Sequence, residues 1–233
     1  MNPLSKPPRL MSEALLFPQE TLQPTEERTP KPENIALKVI KSAFPMILFN
    51  VSLMLLDTIS LYFIGLQNNE NLLSSLGFGI TFQQAFSQAI ATGIALGLSV
   101  YGSQSYGAKN FQLFNDYFKY TLLIQLLAFS LTVVLSLSCK DLLILAHFEE
   151  YLAQNVDTLM VSSLPCFFFM GLYQTFIAYF SCQNSFYINA FLTMLGLPIH
   201  WSFCRLFVDE LGLELSGIGF SKGITLGALV LMQ

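Results

Sequence analysis

Six apolar stretches, each long enough to cross a bilayer, leave this chain few ways to fold. They run over residues 35–66, 72–101, 117–137, 156–181 and 186–207, and from residue 216 to the C-terminus. A helix rises ~1.5 Å per residue, so a hydrocarbon core ~30 Å thick takes about 20 mostly apolar residues. Membrane β-barrels would show strands of about 10 residues with alternating polarity, and the chain has no such alternation. Lipid offers no water to an open backbone, which leaves helices. The expected fold class is an all-α membrane protein, a six-helix transmembrane bundle over residues 35–233.

Composition agrees. Charged residues make up 11% of the chain, against about 25% in soluble domains. The net charge of −4 offers no basic surface to nucleic acid. Cys139, Cys166, Cys182 and Cys204 are scattered and form no CxxC pair, so they read as small buried hydrophobes rather than zinc ligands or disulfides. No HExxH, GxSxG or Gly-Lys phosphate loop occurs. Enzymatic chemistry, a bound cofactor, a metal site and ATP-driven transport are therefore not expected. Residues 1–34 differ from the rest: they hold seven of the ten prolines and nine of the 26 charged residues. They contain no signal-peptide core and read as a disordered tail.

Lys and Arg positions give an orientation. Lys6, Arg9, Arg28, Lys31, Lys38 and Lys41 precede or open the first helix, and Lys109 and Lys119 flank the turn between helices 2 and 3. The turn between helices 1 and 2 carries only Glu70, and the last loop sets Arg205 against Asp209, Glu210 and Glu214. This asymmetry puts the N-terminus in the cytosol. Lys222 lies near the expected start of helix 6 and adds nothing to the assignment. Gln233 ends the chain inside an apolar run with no polar tail, which reads as a truncation.

A few polar residues inside the spans are the candidate site. Asp57 lies deep in helix 1, where a carboxylate costs on the order of 3 kcal/mol. It reads as a carrier of H⁺ or Na⁺ or a partner for a cationic solute, the other reading being an interfacial residue bonded locally. Asn50 is seven residues earlier on the same face. Gln84, Gln88 and Thr92 repeat at spacing four on helix 2, flanked by Gln83 and Ser87. That amide face points at neighbouring helices or a wet cavity. Gly93 and Gly97 form a GxxxG pair, expected to let helices pack closely. On helix 4, Pro165 suggests a kink, and Tyr173 and Tyr179 are aromatic faces for an organic cation or, for Tyr179, a belt residue. On helix 5, His200 reads as a satisfied structural residue and Trp201 as an interfacial anchor.

Helix 2 runs into a small polar turn, Gly97-Leu98-Ser99-Val100-Tyr101-Gly102-Ser103-Gln104-Ser105-Tyr106-Gly107-Ala108-Lys109-Asn110. This segment resembles the second helix and following loop of multidrug and toxic compound extrusion (MATE) transporters. Three further pieces resemble the same family in order: Pro45 through Ile64-Gly65, Leu164-Pro165 with Tyr179-Phe180-Ser181-Cys182-Gln183, and Leu211 to Gly219. The resemblance covers residues 36–233. It implies the N-terminal lobe of a twelve-helix antiporter that exports organic cations or other amphipathic solutes in exchange for H⁺ or Na⁺. Many bacterial members carry a first-helix Asp five residues before the closing Gly; here that position is Ser60, and Asp57 lies one turn earlier. The cation- and substrate-binding set to test is Asp57, Asn50, Ser60, Gln84, Gln88 and Tyr173. The alternatives are a lipid-linked oligosaccharide flippase of the same superfamily, which would need a strongly basic cavity, and a non-transporting fragment or scaffold. Membrane lipid is the partner common to all of these.

Overall fold

A computed structural model describes residues 32–233; the expected disordered tail lies almost wholly outside the described residues. Among the described residues, nine α-helices follow one another and no strand occurs. They are α1 (Pro32–Gly65), α2 (Glu70–Gln83), α3 (Ala89–Gly107), α4 (Phe111–Leu137), α5 (Cys139–Leu145), α6 (Glu150–Ser162), α7 (Leu164–Cys182), α8 (Phe186–Cys204) and α9 (Glu214–Met232). A π-helical turn, Gln84–Gln88, joins α2 to α3 without a break, and a second, Arg205–Glu210, prolongs α8. Six helical stretches are long and apolar enough to span a membrane: Val39–Gly65, Glu70–Gly107, Phe111–Leu137, Leu164–Cys182, Phe186–Glu210 and Glu214–Met232. The six-helix expectation holds, with helix 2 running on to Gly107, helix 3 starting at Phe111 and helix 4 starting at Leu164. Pro165 does not kink a longer helix; it stands in the first turn of α7, and Ser163 breaks the chain between α6 and α7. Proline has no N–H to give the preceding turn, so a helix start suits it better than a helix interior.

The turns are set by local chemistry. Asn69 accepts from the Asn71 and Leu72 N–H groups and caps α2, and Asn110 accepts from Leu113 N–H and caps α4. Asn68, Lys109 and Asn184 adopt positive φ just past the ends of α1, α3 and α7, the left-handed step that closes a helix. The polar turn after Gly107 is thus a helix stop and a helix start within three residues.

α9 is the central helix. In its most apolar stretch 61% of the residues are buried, against 22% in α4. α9 packs on α6, α7 and α8, while α3 packs on α4 and α7. The approach is close because α9 is rich in small residues: a Cβ at Gly219 would stand 2.8 Å from the Ser162 carbonyl carbon, and one at Gly223 3.2 Å from Cys166 N. The Gly93/Gly97 pair does not act this way. A Cβ on either would meet nothing within 4 Å, since both lie on an exposed face of α3. The close-packing glycine on α3 is Gly102, where a Cβ would stand 3.0 Å from Cys182 Sγ. α4 is peripheral, with Leu123, Leu127, Leu131 and Val134 exposed on one side. Its Gln125 turns inward and donates to the Ala91 carbonyl at 2.8 Å, which ties α4 to α3.

Candidate functional site

α1 carries its polar side chains along a helix that is exposed on one side and packs Leu56, Phe63 and Ile64 into the core on the other. Most satisfy themselves on their own helix: Asn50 donates to Met46 O at 2.8 Å, Ser52 to Leu48 O at 2.8 Å and Thr58 to Met54 O at 2.9 Å. Such back-bonding is the cheapest way to hide a polar group in an apolar medium. Asp57 has no donor of its own to offer the helix, and its carboxylate reaches across to two other helices instead. Lys222 Nζ on α9 donates to Oδ1 at 2.6 Å. Gln84 Nε2, in the π-helical turn, donates to Oδ2 at 3.1 Å. Asp57 is eight residues from the end of α1 and Lys222 eight beyond the start of α9, or ~12 Å along each helix from its end at 1.5 Å per residue. Two opposite charges so placed offset much of each other's insertion cost.

The pair opens on a cavity of about 180 Å³ between α1, the α2–α3 helix, α7, α8 and α9. Asn50, Asp57, Gln84 and Gln88, four of the expected site residues, all line it. Gln83 and Ser87 join them, and Gln83 also donates to Ser163 Oγ at 2.9 Å. Residues 83, 84, 87 and 88 share one face by their i, i+1, i+4 and i+5 spacing, and the π turn at Gln84–Gln88 lies on that wall. Thr92, expected on the same face, lines a second cavity instead.

Ser60 sits one turn beyond Asp57 and is fully buried. Its hydroxyl lies 3.0 Å from His200 Nε2 on α8, and His200 Nδ1 lies 3.3 Å from Thr225 Oγ1 on α9. Both His200 ring nitrogens are thus hydrogen-bonded, as expected of a structural histidine, although His200 also lines the cavity, while Ser60 supports it rather than lining the cavity. Tyr173 departs further from its expected place. It is fully buried, its hydroxyl bonds to Thr193, and its ring packs 6.5 Å from that of Phe49. No ring face is left for an organic cation. Tyr179 is likewise a packing residue, stacked on Phe114 at 5.0 Å. Trp201 stacks on Tyr62 at 5.5 Å near the end of α1 and is partly exposed.

Lys222 is the cavity residue that sequence reasoning passed over. It is not at the start of a helix but in the middle of α9, so a lysine does lie within the membrane. The sequence does carry a signal for it: a buried carboxylate needs a cation, and this is the lysine flanked by the small residues Ser221 and Gly223 inside an apolar span. The four cysteines are buried and unpaired. On α5, burial pushes the Cys139 thiol up to about 11, with the Asp157 charge adding to it. No cluster of metal-ligating side chains occurs among the described residues.

Together these features define a class: a multi-pass helical membrane bundle with a polar, charge-bearing cavity at mid-depth. The MatE family model matches residues 45–206, and the chain belongs to that family. Among curated proteins it is similar to Protein DETOXIFICATION 9 of Arabidopsis thaliana, 25% identical over 189 residues, covering 81% of this chain and 39% of that protein. Protein DETOXIFICATION 49 of the same plant is 26% identical over 198 residues, covering 83% and 38%. Among solved structures, the eukaryotic MATE transporter AtDTX14 superposes with a TM-score of 0.75 at 24% identity, covering 84% of this chain and 45% of that one. The bent form of the Vibrio cholerae MATE transporter VcmN gives 0.78 at 18% identity, covering 86% and 45%. The chain thus spans about two-fifths of the length of the curated relatives it matches, consistent with one lobe of the MATE fold.

Proposed function

We propose that this chain forms the N-terminal lobe of a secondary active antiporter that exports organic cations or other xenobiotics and metabolites in exchange for H⁺ or Na⁺. The observation that carries the reading is the Asp57 carboxylate, held at mid-depth on a cavity lined by the amides of Asn50, Gln84 and Gln88. A carboxylate at that depth is expensive, and a group of this kind marks an ion or solute path far more often than a packing role. Cavities at mid-membrane between helices are where secondary transporters bind their cargo and work by alternating access. The N-terminus lies in the cytosol in this reading, on the side where basic residues collect.

The flippase alternative calls for a strongly basic cavity. Among the described residues Lys222 is the one Lys or Arg lining it, and Asp57 neutralises that charge. That balance favours the antiporter.

The test is gradient-driven efflux from cells expressing the gene's full-length product. Asp57→Asn keeps the shape of the side chain and removes its charge, and export is expected to fall at least about tenfold, as for loss of a group acting on a charged ligand. Unchanged export would remove Asp57 from the mechanism.

A further inference from the structure

The carboxylate assigned above to a translocated cation already holds a cation. Lys222 Nζ lies 2.6 Å from Asp57 Oδ1, in the position an ammonium or a metal ion from solution would take. The lysine side chain is 11% exposed and the aspartate side chain 27%, and both line the cavity. Gln84 takes the other oxygen at 3.1 Å. No third formally charged side chain lines the cavity among the described residues: His200 is engaged by Ser60 and Thr225, and Cys166 is the remaining titratable neighbour. The site is therefore closed as a neutral pair.

We propose that Lys222 is a tethered competitor at Asp57, which a cationic solute or coupling ion must displace, so that Lys222 sets the affinity and selectivity of the site. The inference rests on the reading of Asp57 as the cation-binding group. A tethered ammonium pays no translational entropy on each return to the carboxylate, while a free cation does. A short tether acts as an effective concentration on the order of millimolar or more. A bare cation that approaches Asp57 must leave the displaced ammonium without a partner in an apolar setting, which is costly. Bare monovalent cations are thus the ligand class that Lys222 selects against.

The experiment is equilibrium binding of tetraphenylphosphonium to the full-length product in lipid nanodiscs, with no gradient applied. Lys222→Met frees the carboxylate and is expected to tighten binding about tenfold, equal to ~1.4 kcal/mol. Lys222→Arg keeps the competitor and stays near the native affinity. Asp57→Asn combined with Lys222→Met abolishes the gain. A Lys222→Met protein that elutes as the native one does and binds no more tightly overturns the inference. Should Lys222→Met fail to fold, Lys222→Gln, which retains a donor to Asp57 without charge, takes the same measurement, and absence of a gain there is equally fatal. The outcome is separable from the transport reading, since affinity is read without flux: export unaffected by Asp57→Asn would sink the transport role while leaving the competition intact.

Discussion

Two cavities of this bundle meet at Asn50, which lines both. One holds the Asp57–Lys222 pair, is about 180 Å³ in volume and lies toward the end of the bundle marked by the turn after α1. The other is about 520 Å³ and lies toward the turn between α3 and α4. It is walled by uncharged side chains such as Thr92, Ser99, Gln174 and Asn189. The smaller cavity carries a charge pair; the larger carries uncharged polar groups among apolar side chains such as Phe49, Leu96 and Ile177. In the larger cavity the Asn189 amide donates to Ile177 O at 3.2 Å, while its buried carbonyl oxygen has no partner among the described residues.

The contrast can be broken at four points. The largest effect is expected at the pair. Lys222→Met should lower the stability of the chain in detergent by about 3 kcal/mol, at the low end for loss of one partner of a buried pair because Asp57 is partly exposed. Adding Asp57→Asn should restore most of it, read by thermal unfolding; a double variant no more stable than the single one would show that the two charges are not coupled. Next comes the scaffold under Lys222. Gly219→Ala forces a methyl against Ser162 and should cost about 2 kcal/mol by overpacking. In the larger cavity, Gln174→Ala or Asn189→Ala should change export by about fivefold or less, the worth of one neutral hydrogen bond. A loss there as large as that at Asp57 would erase the difference between the cavities. The smallest effect is at Gly97→Ala, which faces open space and should move stability by less than about 0.5 kcal/mol.

Much of this architecture is legible in the sequence. The spans declare themselves because each is a run of apolar residues longer than any core element needs. Asp57 and the amides of Gln84 and Gln88 stand out because polar groups in such runs are expensive. Pairing and winding stay hidden. Lys222 is 165 residues from Asp57, and no local pattern links them. The π turn at Gln84–Gln88 has no composition that distinguishes it from an ordinary helix, so spacing four cannot reveal that Gln88 and Thr92 are divided between two cavities. Tyr173 misleads for a related reason. An aromatic beside a cavity and an aromatic inside a core share a sequence context, and only Thr193 and Phe49 reveal which this is.

The winding of that turn also makes it a latent gear. A π turn carries one residue more than an α-helical turn would, so relaxing it to α would rotate one flank by ~100° relative to the other. Gln84 would swing off the carboxylate, and the surplus residue would have to be absorbed along α3 toward the Ala108–Asn110 bend. A slip of one register at mid-membrane would in this way be felt simultaneously at the acid on α1 and at the far mouth of the bundle.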